Sequence, residues 1–298
     1  MTDTKSTALS YPHFLGSEIA QPNPEEALFH ILPIPFEESV SYGGGTKRGP
    51  SAILNASWQL ETWDGKSTPS DCGIYTLPAI DCSGHAEEVM GRIAEEAKNI
   101  RQLKKIPVGI GGEHSVTLGI IQGMLAAGDT DFGIVQIDAH ADLRDAYEGN
   151  PYSHASVMKR CVDLGIPLYQ LGIRAYCEEE RDLRNSHTQI WFEDSATLVP
   201  NNKGSIELPE NFPSKVFFTL DIDGMDPSIF PSTGTPVPGG LGWYQTLSLF
   251  ESVANQREII GFDLLEFAPI EGFHAYEFSA AMLLHNLMGL VQRSKAQR

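Results

Sequence analysis

Short apolar runs alternate with amphipathic stretches through almost the whole chain. Runs at 28–33, 106–110, 132–137, 167–172, 215–220 and 258–264 have the length and composition of buried strands. Helical patterns lie between them. Across 86–104, Val89, Ile93, Ala97 and Ile100 recur at helical spacing with charges in between. Pro50 suits a first helical position and is followed by Ala52, Ile53, Ala56 and Trp58. A last helix begins near Tyr276 and carries Ala280, Leu283, Leu284, Leu287 and Leu290 on its buried face. Alternation of this kind predicts an α/β fold with a mainly parallel central sheet.

Polar residues gather where the apolar runs stop. GIGGEH overlaps the end of the run at 106–110, DAHAD follows GIVQI, DIDGMD follows VFFTL, and Glu266 closes IIGFDLLE. Ligands of open parallel sheets sit beyond the carboxyl ends of the strands, so these separated segments are expected to converge on one crevice.

Composition sets the outer bounds. With 298 residues, 41% of them hydrophobic, the chain can bury a large core, and it has no linker, repeat or low-complexity tract that would divide it. One domain over 1–298 is expected, with about the first 25 residues as an N-terminal extension. The opening residues lack the basic start and apolar stretch of a signal peptide, which predicts a cytoplasmic protein. The apolar stretch 280–291 is broken by His285 and Asn286 and falls short of the roughly 20 residues a bilayer span needs. Cys72, Cys82, Cys161 and Cys177 lack CxxC spacing and read as free thiols. A formal charge of −18 disfavours nucleic acid and membrane surfaces as partners and suits a small cationic substrate, although much of it serves solubility.

The strand-end residues then supply the chemistry. Asp138, His140 and Asp142 alternate, so in extended backbone all three side chains point one way. Asp221 and Asp223 repeat the spacing, and His114 follows a glycine pair. Four aspartates buried together would be very costly unless paired or metal-bound, and two divalent cations would balance them. A ligand set of carboxylates and imidazoles without thiolate favours Mn2+ over Zn2+, with Fe, Co or Ni also compatible.

These segments resemble the ureohydrolases, the family of arginases, agmatinases and related guanidino hydrolases. The resemblance runs from Pro33 to about Leu290 through SYGGGTKRGPSAI, GGEHSVTLG, QIDAHADLRDAYEGNPYSHASVM, LDIDGMDPSIFPSTGTPVPGG and GFDLLEFAP. It implies a three-layer α/β/α sandwich assembled as a homo-oligomer, a trimer or hexamer. It implies one metal on His114, Asp138, Asp142 and Asp221, and a second on His140, Asp138, Asp221 and Asp223, with Asp138 and Asp221 bridging. Catalysis would use two Mn2+ to activate water, Asp142 to orient it, His154 to shuttle a proton to the departing amine, and Glu266 to receive the guanidinium. Glu113 could brace the metal shell or equally form an ordinary loop salt bridge, and Asp263 reads as structural.

The segment LRDAYEGNPYSHASVM looks like the agmatinase form, so agmatine is the leading substrate, cleaved to putrescine and urea. Asp145, with Glu148, is expected to repel a substrate carboxylate and favour a cationic tail, while Arg144 works against that preference. N1-aminopropylagmatine, arginine and guanidinobutyrate are the alternatives. A non-catalytic scaffold would predict an eroded ligand set, which this chain lacks. A phosphohydrolase would need phosphate clamps, and Arg144 is the only basic residue close to the ligands in sequence.

Overall fold

The computed structural model describes residues 12–298. Eight strands form one sheet: β1 (Phe29–Ile34), β2 (Ile74–Thr76), β3 (Ile106–Gly111), β4 (Gly133–Ile137), β5 (Leu168–Leu171), β6 (Ile190–Glu193), β7 (Lys215–Asp221) and β8 (Glu258–Leu265). Their order is β2-β1-β3-β8-β7-β4-β5-β6, and every pairing is parallel. All six runs expected as strands are present. The two missed strands lie at the sheet's edges, where short length or partial exposure weakens the apolar signature: β2 has only three residues, and β6 is mostly outside the core.

Among the described residues eight α-helices accompany the sheet: α1 (Gly49–Ala56), α2 (Ala86–Gln102), α3 (Val116–Ala126), α4 (Val157–Asp163), α5 (Glu178–Ser186), α6 (Ser195–Leu198), α7 (Trp243–Gln256) and α8 (Ala275–Ala296). Pro50 does stand in the first turn of α1. Helix α2 stops two residues before the expected end, because the chain turns into the left-handed region at Lys104, φ 59°.

Alternate strand residues feed opposite faces of the sheet. Val135, Ile137, Phe218 and Leu220 enter a core shared with Ile53, Leu249, Phe250 and Leu287 from α1, α7 and α8. Ile134, Leu168 and Phe217 enter a second core with Val89, Ile93, Ile120 and Met158 from α2, α3 and α4. The result is the three-layer sandwich expected, with the sheet between two helical layers. Phe14 and Leu15 are fully buried in the first core, with their amides bonded to Thr76 Oγ1 and Ser57 Oγ, so the described part of the expected N-terminal extension is built into the fold. The four cysteines are unpaired, and among the described residues no helix is long and apolar enough to cross a membrane.

The four strands whose ends carry the chemistry, β3, β8, β7 and β4, are consecutive in the middle of the sheet. That order brings segments more than 100 residues apart in sequence to one edge.

Candidate metal centre

Beneath that edge runs a row of buried polar side chains. Gln170 on β5 pairs with Gln136 on β4, Gln136 with Thr219 on β7, and Thr219 with Asp263 on β8. Each interrupts an otherwise apolar strand. Gln170 Nε2 donates to Gln136 Oε1 at 2.7 Å, and Gln136 Nε2 donates to Asp138 Oδ2 at 2.7 Å. Thr117 Oγ1 donates to Asp263 Oδ2 at 2.8 Å. Burial pushes the Asp263 carboxyl up to about 6, partly offset by the charge on His114 and by bonds from Thr219 and Thr117. Asp263 therefore has the structural setting expected of it.

Two residues further along the strands come the candidate ligands. Asp138 Oδ1 accepts the His140 amide at 2.6 Å, Asp221 Oδ1 the Asp223 amide at 2.9 Å, and Asp223 Oδ1 the Ala139 amide at 3.0 Å. Asp221 and Asp223 thus spend one oxygen on the backbone and turn the other inward. His140 is held in line by an isolated parallel bridge to Ala175, after which the chain reverses: Asp142 has φ 53°. Glu266, at the end of β8, has φ 59°. Both are non-glycine residues in the left-handed region, which costs free energy and is found at functional sites. His114 sits beyond Gly112, where a Cβ would overlap the Phe36 carbonyl.

The side chains converge as the sequence predicts. His114 Nδ1 lies 3.0 Å from Asp138 Oδ2, 2.9 Å from Asp142 Oδ2 and 3.4 Å from Asp221 Oδ2. His140 Nδ1 lies 3.0 Å from Asp223 Oδ2 and 3.6 Å from Asp138 Oδ1. Two candidate ligand triads result, His114–Asp138–Asp221 and Asp138–His140–Asp223, sharing Asp138.

The donor set fits divalent cations. His114 Nε2 bonds Thr219 Oγ1 at 2.9 Å, and a proton there leaves Nδ1 bare and facing three carboxylates. That buried Nδ1 has no aligned hydrogen-bond partner. Charge tells the same story. Burial opposes protonation of His114, yet Asp138 and Asp142 outweigh it and hold the imidazole well above its ordinary value. Burial likewise opposes charge on His140, but Asp138 and Asp223 lift it to about 11. Burial and the neighbouring Asp138 charge push Asp142 up to about 7, and burial with Asp223 and Asp138 raises Asp221 well above the carboxylate range. A cluster that must otherwise retain protons is relieved by bound cations.

Around this centre, His140, Asp142, His154, Asp221, Asp223 and Glu266 line one small recess. It opens to a cavity of about 310 Å³ walled by Arg144, Tyr147, Tyr176, Cys177 and Glu180. Asp145 does not reach that cavity. Its side chain is 85% exposed and paired with Arg160 at 2.6 Å, because the loop leaves the strand direction after Asp142. Glu113 takes the Ser39 hydroxyl and the Glu38 and Ser39 amides, which places it with the loop rather than with a ligand, the second of the two settings open to it. Ser39, Ser41, Gln136, Gln170 and Thr219 were not singled out from sequence. For the last three a signal existed, a lone polar residue inside an apolar strand.

A parallel three-layer sandwich that gathers two imidazoles and four carboxylates at its central strand ends belongs to the class of metal-dependent α/β enzymes. Comparison with known proteins narrows the class. The Arginase family matches residues 27–289, and the chain belongs to that family, as a metal-dependent ureohydrolase acting on guanidino compounds. It is 38% identical over 296 residues to the N(1)-aminopropylagmatine ureohydrolase of Synechocystis sp., covering 96% of this chain and 95% of the relative. The protein of the same description from Thermus thermophilus is 37% identical over 269 residues, covering 89% and 91%. Among solved structures, the agmatine ureohydrolase of Thermoplasma volcanium superposes with a TM-score of 0.84 at 27% identity, covering 97% of this chain and 98% of that one.

Proposed function

We propose that this chain hydrolyses N1-aminopropylagmatine to urea and the corresponding amine, with agmatine as a second substrate, using two Mn2+ held by His114, Asp138, His140, Asp142, Asp221 and Asp223. The observation that carries the reaction is the buried His114 Nδ1, without an aligned hydrogen-bond partner, among three carboxylates and next to a recess that also holds His154 and Glu266. When bound, the cations supply the Lewis acidity that makes water a nucleophile at neutral pH.

The chain's own groups do the rest. Glu266 Oε1 is fixed by the His114 amide at 2.7 Å, leaving Oε2 to accept from the substrate guanidinium. Burial and the Glu113 charge push Glu266 upward, and a guanidinium beside it favours the carboxylate again. Asp142 orients the attacking water. Burial lowers His154 from its ordinary value, so its imidazole is neutral at pH 7; it can take up the proton released by the attacking water and hand it to the nitrogen whose bond to carbon breaks.

The tail is read by the outer cavity. Arg144 lies 3.9 Å from Glu180 and 5.5 Å from the Tyr147 ring centre, so its charge is already met. A substrate carboxylate has no free cation there, whereas a cationic polyamine tail can run along the Tyr147 and Tyr176 rings. The relatives' names support the longer tail, and the Thermoplasma volcanium structure supports agmatine as the second reading. The resemblance further supports a cytoplasmic trimer or hexamer.

Urea release compared across N1-aminopropylagmatine, agmatine, arginine and guanidinobutyrate tests the reading. The two carboxylate-free compounds should be cleaved, with the higher kcat/KM for N1-aminopropylagmatine. Preference for arginine or guanidinobutyrate would overturn the tail assignment.

A further inference from the structure

The loop after β1 reaches across to His154 and bonds both ring nitrogens. Ser39 Oγ lies 3.1 Å from Nδ1, and Ser41 Oγ 2.9 Å from Nε2. Ser39 is itself held from behind: its hydroxyl donates to Glu113 Oε1 at 2.8 Å, its amide to Glu113 Oε2 at 2.6 Å, and its oxygen accepts the His154 amide at 3.0 Å. Glu113 is fully buried and also takes the Ser115 hydroxyl at 2.6 Å.

Hydrogen-bond accounting fixes the direction of this chain. A hydroxyl carries one proton, and the Ser39 proton is committed to the carboxylate, the stronger acceptor. Ser39 Oγ can then only accept from the imidazole, which places a proton on His154 Nδ1. Ser153 Oγ, 3.3 Å from the same nitrogen and accepting from the Ala155 amide, is a second acceptor for it. Nε2 is left bare. It faces Ser41 Oγ, which lines both the recess and the outer cavity.

We propose that Glu113 and Ser39 are positioning residues that hold His154 in the Nδ1–H tautomer, so that Nε2 is the atom that exchanges a proton with substrate. The inference rests on the proton-transfer role of His154 given above. It assigns work to Ser39, two residues before the SYGGG motif, and to the glutamate of GGEH. It also explains why Glu113 points away from the metal ligands: a carboxylate, a hydroxyl and an imidazole in series fix one tautomer in the way that an aspartate orients the histidine of a hydrolytic triad.

The test uses the full chain, labelled with 15N-histidine and loaded with Zn2+ as a diamagnetic ion. Two-bond nitrogen–proton correlations of the His154 ring, assigned by loss in His154→Ala, report the tautomer. In the unaltered protein Nδ1 should carry the proton. In Ser39→Ala the Nε2–H form should become populated, kcat for urea release with Mn2+ should fall about 10- to 100-fold, and KM and metal content should stay within about twofold. Ser39→Thr, which keeps the hydroxyl, should restore both the tautomer and most of kcat.

An Nε2–H tautomer in the unaltered protein, or a kcat loss in Ser39→Ala with the tautomer unchanged, would overturn the proposal. The His154→Ala control separates the two readings. Unchanged turnover there refutes the proton-transfer role itself, whatever the tautomer of the ring.

Discussion

At the residue scale, the carboxylates proposed to bridge two cations are Asp138 and Asp221. Asp138 belongs to both triads, and Asp221 lies against His114 while bonding the Asp223 amide. Asp138→Asn and Asp221→Asn should each lose bound metal and urea production together, measured by elemental analysis beside the activity assay. Near-normal metal content in either variant would refute its bridging role. The convergence of the candidate ligands was legible, because two-residue alternation recurs at the ends of several apolar runs and only their joint occurrence favours one site. Asp145 was not. Three residues beyond Asp142, the extended backbone that makes alternation informative has already ended, and the side chain pairs with Arg160 outside the cavity. Ser39 and Ser41 were hidden for another reason: they meet His154 across 115 and 113 residues of sequence, and no local pattern encodes that contact.

At the element scale, the polar row beneath the ligands makes the central strands more than packing. Thr219→Val keeps shape but removes the hydroxyl that bonds His114 Nε2. Freed of that bond, the ring can present either nitrogen, so metal affinity should fall roughly 10- to 100-fold while the fold is retained, as metal titration would show. Unchanged affinity would mean the Thr219 contact does not set the ligand's orientation.

Helix α8 supplies a pH prediction. His285 is buried with both ring nitrogens unpartnered, and burial lowers it from 6.5, opposed by the charge of Asp64. The folded state keeps this imidazole neutral while the unfolded chain protonates it as pH falls below 6.5, so stability declines from there toward the lower folded value. His285→Leu should flatten that part of the acid limb, read from denaturant midpoints between pH 7 and about 5. An unaltered slope would place the acid sensitivity elsewhere. The central strands and the helices α1, α2 and α8 were readable in the hydrophobic pattern because both faces of the sheet are covered. The edge strands β2 and β6 were not, since fewer of their positions are buried and pairing with the neighbouring strand, not composition, defines them.

At the scale of the whole molecule, the strand order decides the function. Placing β3, β8, β7 and β4 side by side turns four separate strand ends into one centre, and sequence could give only the expectation that such ends meet. The net charge of −18 acts over the same range. A cationic substrate is drawn toward an acidic protein, so KM for N1-aminopropylagmatine should rise as salt is added while kcat stays nearly constant. A salt-independent KM would confine the relevant charge to the site.

These six side chains are proposed to hold a pair of cations and to use them to release urea. Urea release from N1-aminopropylagmatine, followed as metal-free protein is titrated with Mn2+ and bound metal is counted in the same samples, tests it most directly. Saturation is expected at two ions per chain, with full turnover only as the second ion binds. Full activity at one ion per chain, or no urea at saturation, would contradict it.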